Sequence, residues 1–329
     1  MKPLPEELAG LQIASPQQFR NLTLFSLSRN EPVPATPDYL LADEAMGRGL
    51  ARITEVDGGS VPELRFENNS DQPILLLDGE ELVGAKQNRV LNLTILVAAK
   101  QTTLIPVSCV EAGRWHMDSA EFRPASHVMY SRGRAARVTQ VSASMRTSGS
   151  RRSDQGAVWE DIAAKSARMN TDSPTQAMSA VFERHAISVE EYVRAFACGG
   201  NQCGVAVAIG AEFGLDLFDH PATMRSLFAK LVRSYALDAM ELAKTPADDG
   251  SVDPAAFLKA LADAPAASEP AIGMGKDVRL AGKSVAGAAL WEGGRYVHIC
   301  GFTVGQGSKE ISVKTRLSRP TRRRTGRAF

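Results

Sequence analysis

Residues 74–92 read ILLLDGEELVGAKQNRVLN. A strand-like run from Ile74 to Leu77 passes straight into Asp78, Glu80, Glu81, Lys86, Gln87, Asn88 and Arg89 before apolar alternation returns. Either this is a solvated hairpin tip or it is a polar site set into a β core. The neighbouring runs bear on the choice. RGLARITEV, PELRFEN, RVLNLTILV and TLIPVSCVE crowd into positions 48–111, rich in β-branched residues and separated by Gly, Asn and Asp turns such as Asp57, Gly58 and Gly59. Closely spaced runs of this kind predict an antiparallel sandwich or partial barrel.

Side chains of a strand alternate between faces, so the polar residues can be assigned to one side or the other. Stepping back by twos from Leu91, in phase with Leu93, Ile95 and Val97, puts Arg89 and Gln87 on the apolar face. In the next run Ile105, Val107, Cys109 and Glu111 are in phase. A short turn near 98–101 makes the two runs antiparallel neighbours and brings Gln87 and Arg89 beside Cys109 and Glu111. A charge facing a core needs a partner, and Arg89 with Glu111 is the economical pair. Two readings follow: a structural ion pair that seals the end of the sheet, or a pocket where polar groups converge above an apolar floor. Glu80, Glu81, Lys86, Asn88, Arg114 and Trp115 exceed what one ion pair requires, which favours the pocket. A bulge at Gly84 or Ala85 would overturn the count by turning Gln87 and Arg89 outward.

The rest of the chain reads as α+β. Residues 1–47 form an N-terminal extension and 48–130 the β-rich part. Positions 131–154, SRGRAARVTQVSASMRTSGSRRSD, hold six arginines among small residues and read as a basic flexible loop. Positions 155–306 read as helices followed by strands, packed with 48–130 as one globular unit. Ser188 with Glu191 suggests a capping box, and Met224, Leu227, Phe228, Leu231, Val232 and Tyr235 form one stripe of a helix from Pro221 to Leu242. Asp253 caps another helix, APAASEPAIG is a loop, and three antiparallel strands end the part. Residues 307–329 read as a basic disordered tail.

With 329 residues, 44% hydrophobic, 23% charged and a net charge of +1, the chain gives no reason to expect nucleic acid or an anionic membrane as partner, except through the basic tail. No apolar run reaches membrane-spanning length and the start lacks a signal-peptide pattern, so the cytoplasm is the expected location. The four cysteines form no CxxC and the histidines show no ligand spacing. No metal site is expected, and a cofactor is left open. His298 sits in a strand pattern and reads either as a hydrogen-bonded core histidine or as a general base.

ILLLDGEELVGAKQNRVLN followed by IPVSCVEAGRW, with weaker matches at VWEDI, GLDLFDHP and LVRSYALDA, resembles the ARG and rhodanese-phosphatase-associated protein domain, a prokaryotic family of unknown function. The resemblance runs from about Arg48 to Thr303. It marks Gly79, Glu80, Glu81, Gly84, Lys86, Gln87, Asn88 and Arg89, with Ser108, Cys109, Glu111, Arg114 and Trp115. The gene association in the family's name implies a nucleotide or ADP-ribose setting. The expected function is therefore to bind or process a phosphorylated or nucleotide-derived small molecule. Lys86, Arg89 and Arg114, with Gln87 and Asn88, would hold the anionic group, and Trp115 would stack on a base or sugar. Glu80, Glu81 or Glu111 would act as general acid or base; Cys109 is a weaker nucleophile, because the nearby Glu111 disfavours a thiolate. The alternative is a non-catalytic structural or protein-interaction module whose polar cluster is a buried ion-pair network.

Overall fold

A computed structural model of the protein describes residues 2–30, 33–56, 61–117, 119–243 and 253–305. The architecture is α+β, built on antiparallel sheets. Strand Leu22–Ser28 lies between the short strands Gln12–Ile13 and Gln17–Phe19 on one side and Gln202–Ile209 on the other. From Gln202–Ile209 the sheet continues through Glu212–Phe218, Arg295–Thr303, Val285–Glu292, Lys276–Ala281 and Ala266–Pro270, every neighbour antiparallel. Residues 12–28, part of the stretch read as an N-terminal extension, thus supply three strands of this large sheet. Apolar residues such as Leu24, Leu27, Val205 and Leu217 are buried along its length, which is what draws the early strand in.

Six strands between Ala51 and Val128 form the curled half-barrel that the crowded strand signals predict. Its order is Phe122–Val128, Glu80–Gly84, Arg89–Leu91, Thr102–Cys109, Glu63–Asn68 and Ala51–Glu55. Ile53, Leu64, Phe66, Leu82, Leu91, Ile105 and Phe122 fill its interior. The run 89–97, expected as one strand, divides. Arg89–Leu91 stays in the half-barrel, whereas Ile95–Val97 pairs with Ile74–Leu76 in a three-stranded sheet completed by Leu40–Leu41. Side chains divert the backbone at the break. Asn92 accepts from Ser108 Oγ and donates to the carbonyl of Arg151, and Thr94 Oγ1 accepts the amide N–H of Asp78.

The segment expected as a basic flexible loop is instead helix Ser131–Ser148. Its inward stripe is Arg134, Arg137, Val138 and Val141, at helical spacing but half of it charged. A periodicity rule that treats arginine as solvent-facing therefore finds no buried face here. The helix is capped from outside: Ser131 Oγ and the Arg132 amide N–H both donate to Asp238 Oδ2, at 2.7 and 2.9 Å. Helix Pro221–Glu241, which carries Asp238, packs its apolar stripe across Gln202–Ile209 and Phe122–Val128 and so bridges the large sheet and the half-barrel.

Two further corrections concern ends and edges. Helix Ala186–Ala195 starts two residues before Ser188, so Ser188 and Glu191 lie within it and form no capping box. APAASEPAIG is not wholly a loop: Ala266–Pro270 is the exposed outer strand of the large sheet, an edge where a terminal proline and a glutamate are tolerated. Asp253 caps helix Pro254–Ala262 through the amides of Ala255 and Ala256 as expected. The turn at 57–59 and the tail at 307–329 lie outside the described residues. Among the described residues no helix is long and apolar enough to cross a membrane.

Lys165 of helix Gln155–Arg168 is fully buried and donates to Asp238 Oδ1 and Glu241 Oε2, both at 2.5 Å. Lys165→Met strands these carboxylates in the interior. We expect a loss of roughly 3–5 kcal/mol of unfolding free energy, measured by denaturant titration, whereas Lys259→Met on the surface changes less than about 0.5 kcal/mol.

Candidate functional site

The opening stretch is a hairpin whose tip is buried. Strand Glu80–Gly84 pairs with Arg89–Leu91, Leu82 opposite Arg89, and the turn at 85–88 tucks Ala85, Gln87 and Asn88 into the protein. The tight return needs Gly84, whose φ is +131° and where a Cβ would lie 2.5 Å from Ser119 Oγ and 2.7 Å from the Glu121 carbonyl oxygen. Cys109 stands directly opposite Arg89 in the next strand, so the parity argument places the right residues together.

The partners differ from those expected. Glu111 pairs with Arg114 at 2.7 Å and also accepts the Asn88 amide N–H at 3.1 Å. Burial pushes the Glu111 carboxyl up, but Arg114 and the Asn88 amide outweigh it and hold it below the usual range. Arg114 further donates to the carbonyls of Ala85 and Gly84 and to Asn88 Oδ1, which leaves it committed to the hairpin. Arg89, 0% exposed, donates through Nη1 to the Gln87 carbonyl and Oε1 and approaches Glu55 Oε1 at 4.0 Å rather than meeting Glu111. Cys109 donates its thiol to Gln87 Oε1 at 3.1 Å, and burial raises its pKa. The Cys109 thiol therefore stays protonated, which removes the thiolate a nucleophilic role requires.

Glu80 and Glu81 turn to opposite faces, as successive strand residues must. Glu81 meets His127 Nε2 at 2.6 Å and Asn88 Nδ2 at 3.3 Å, and His127 stacks on Phe182. Glu80 accepts from Lys230 Nζ at 2.5 Å, and Lys230 also reaches Asp43. Burial lowers the Lys230 pKa, but the two carboxylates win and hold the ammonium above its ordinary range. Lys86 and Trp115 are set apart at the surface. Trp115 is 53% exposed, and Lys86 Nζ lies 5.3 Å from its ring centroid.

Asp78, in the turn just before this strand, leads to a second cluster, which sequence reasoning largely missed. Arg134 is 0% exposed and forks onto Asp216, with Nη2 to Oδ1 at 2.6 Å and Nη1 to Oδ2 at 3.0 Å, while its Nε donates to Asp78 Oδ2 at 3.3 Å. Arg137 Nη2 donates to Asp78 Oδ1 at 2.8 Å. Tyr235 OH donates to Asp216 Oδ2 at 2.8 Å. Burial alone would raise Asp216, but Arg134 and then His298 hold its carboxyl far below the usual carboxylate range. Gly79 makes room for the clamp: its φ is +81°, and a Cβ there would lie 2.9 Å from Arg134 Cδ. Two signals pointed here. Arg134 and Arg137 share a helical face, and Asp216 sits between Leu215 and Leu217 in a strand buried on both sides.

His298 joins this cluster to a narrow cleft between the hairpin and the large sheet. Its Nε2 lies 3.2 Å from Asp216 Oδ1 and its Nδ1 lies 2.8 Å from Thr94 Oγ1. The ring stacks on Phe218 at 4.7 Å. Asp78, Asn92, Thr94, Asp277, Arg279 and His298 supply the polar lining of the cleft. Arg279, 5% exposed, donates Nη2 to Asp277 at 2.7 Å, whereas its Nε and Nη1 meet no acceptor. Among the described residues no group of three or more His, Cys, Asp or Glu is placed to hold a metal ion.

Glu111 and Asp216 both have folded-state pKa values below their ordinary ones. A depressed carboxyl contributes stability that is complete above the unfolded pKa and is lost as pH falls through the folded value. These two carboxyls should leave unfolding free energy steady from pH 7 to about 5 and lower it below about pH 4. Glu111→Gln should cost roughly 3 kcal/mol at pH 7, since Arg114 is left underpaired, and should make the acid limb of a urea-denaturation pH series shallower.

The domain described as ARG and Rhodanese-Phosphatase-superfamily-associated Protein domain matches residues 10–302, so the match begins well before Arg48 and takes in strand Leu22–Ser28. No curated protein and no solved structure matches the chain. With the family's span running from the first strands of the large sheet to its central strand Arg295–Thr303, the chain belongs to the ARG and rhodanese-phosphatase-superfamily-associated protein domain family.

Proposed function

We propose that the protein binds a small phosphorylated or nucleotide-derived molecule, with its anionic group in the cleft lined by Thr94, Arg279 and His298, and that it does so in the cytoplasm. The observation that carries the reading is the state of Arg279, whose Nε and Nη1 are buried donors without an acceptor. A buried donor left unmade costs about 1–3 kcal/mol, more for a charged group. An anion entering the cleft would remove that cost. Arg137 Nε, beside the cleft, and Arg89 Nε and Nη2, in the hairpin, likewise lack a hydrogen-bond acceptor, and Arg151 Nε approaches Asp277 only at 3.9 Å. Around the cleft four guanidinium groups, of Arg134, Arg137, Arg151 and Arg279, face three carboxylates, of Asp78, Asp216 and Asp277. A phosphate or carboxylate balances that excess and suits the planar fork of arginine. The cleft has about 10 Å³ of room, enough for one water, so an anionic group would enter it only as the cleft widens.

The competing reading is a non-catalytic module whose polar groups only seal its packing. It is favoured by Glu81, Asn88, Glu111 and Arg114, which satisfy one another. On our reading these residues hold the hairpin and the cleft holds the ligand.

A thermal-shift titration with inorganic phosphate, AMP, ADP-ribose and sugar phosphates separates the two. At a ligand concentration about one hundred times Kd the wild type should gain about 2.7 kcal/mol. Arg279→Gln should fold and lose that gain. A wild type that no anion of the panel stabilises leaves the structural reading in place.

A further inference from the structure

We propose that residues 149–154 form a strap that holds the cleft shut and lifts to admit an anion; this rests on the anion-binding reading of the cleft. The strap runs between two fixed points. Helix Ser131–Ser148 ends at Gly149 in the left-handed conformation, φ +68°, with open space where a Cβ would stand. At the other end Gln155 opens the next helix and brackets Cys109: its Oε1 accepts the Cys109 amide N–H and its Nε2 donates to the Cys109 carbonyl, both at 2.8 Å. Between these points Arg151 touches both sides of the cleft. Its carbonyl accepts Asn92 Nδ2 at 3.2 Å on the half-barrel side. Its guanidinium reaches the large sheet, where Nη2 donates to the Pro270 carbonyl at 2.5 Å and Nε stands 3.9 Å from Asp277 Oδ2. Asn92 and Asp277 both line the cleft, so Arg151 ties its two walls together at their present spacing.

The remaining ties are few and polar. Ser108 Oγ donates to Asn92 Oδ1 at 2.6 Å, so the Ser153 hydroxyl is the donor in its own 2.5 Å bond to Ser108. The Asp154 amide N–H donates to Gln140 Oε1 at 3.1 Å. The strap reads GSRRSD, with no apolar side chain to anchor it, and none of its residues is fully buried. Segments with few buried apolar contacts open locally at a small part of the cost of unfolding the whole chain. The closed position carries a cost of its own, because Arg151 Nε is a buried donor without an acceptor. Lifting the strap returns that group to water, frees Asp277 and Asn92 from one another, and gives the cleft the width that an anion needs. An anion that occupies the widened cleft favours the lifted strap by mass action.

The test uses the full chain, trypsin and inorganic phosphate. Trypsin should cut the native wild type after Arg151 or Arg152, and saturating phosphate should speed that cut about threefold or more, since cleavage follows the population of the open strap. A disulfide then holds the strap down. Ser108→Cys with Ser153→Cys joins two positions whose hydroxyl oxygens lie 2.5 Å apart. Oxidised, this variant should resist the cut and bind phosphate at least about tenfold more weakly, by calorimetry, than the same protein reduced. Reduced, it should bind within about threefold of the wild type. Both states share one sequence, so a folding defect of the variant does not produce the difference. Phosphate bound equally by the oxidised and reduced forms overturns the strap as gate and leaves the anion site standing. A wild type that binds phosphate with no faster cut at Arg151 or Arg152 does the same, whether or not the disulfide forms. A wild type that binds no phosphate overturns the anion reading and the gate with it.

Discussion

The Arg134 guanidinium is the constraint on which the rest of the molecule is arranged. It is fully buried and held by two carboxylates from different parts of the fold: Asp78 in the turn before the half-barrel hairpin and Asp216 in the middle of the large sheet. Taking three charges out of water is unfavourable unless all three meet with good geometry, so such a cluster adds little net stability. Its effect is on arrangement. If helix Ser131–Ser148 slid by one residue, Arg134 would leave both partners, Arg137 would leave Asp78, and each ion would be stranded. Half-barrel, helix and large sheet are therefore fixed to one another by the penalty for every other packing.

The hairpin and the turn that leads into it serve both polar clusters. Asp78 and Glu80 point toward the helices, where Arg134, Arg137 and Lys230 meet them. Glu81 points the other way, into the network of His127, Asn88, Arg114 and Glu111. A short segment dense in charge is thus divided into two sets with separate work, one anchoring helices and one closing the hairpin's own tip. The cleft at Thr94 and His298 lies beside the first set, and its floor inherits the rigidity of the charge clamp behind it.

Much of this was legible from alternation over short distances. Gln87 and Arg89 lie with Cys109 and Glu111 because Arg89–Leu91 and Thr102–Cys109 are regular where it matters. The half-barrel and the long helix were legible for the same reason, as both carry unbroken apolar patterns. The exact ion pairs were not. Glu111 chose Arg114, three residues away, over Arg89 across the strand, a choice set by a turn geometry that no periodicity records. Helix Ser131–Ser148 was missed because its buried face is partly arginine and the matching aspartates lie more than fifty positions away on either side. Thr94 and His298 share a hydrogen bond across 204 positions, so only the folded chain brings them together.

Strand Leu22–Ser28 has a consequence for how the chain is made. Its near neighbours Gln12–Ile13 and Gln17–Phe19 are at hand at once, but its other edge waits for Gln202–Ile209. At ribosomal speeds of about 5–20 residues per second, the roughly 180 residues between them take about 10–40 seconds to emerge. Through that interval the half-barrel can close on local contacts while the first hairpin carries an open edge. The large sheet is completed only after synthesis has delivered the C-terminal half, and until then the early strands are the part of the nascent chain most exposed to pairing with another copy.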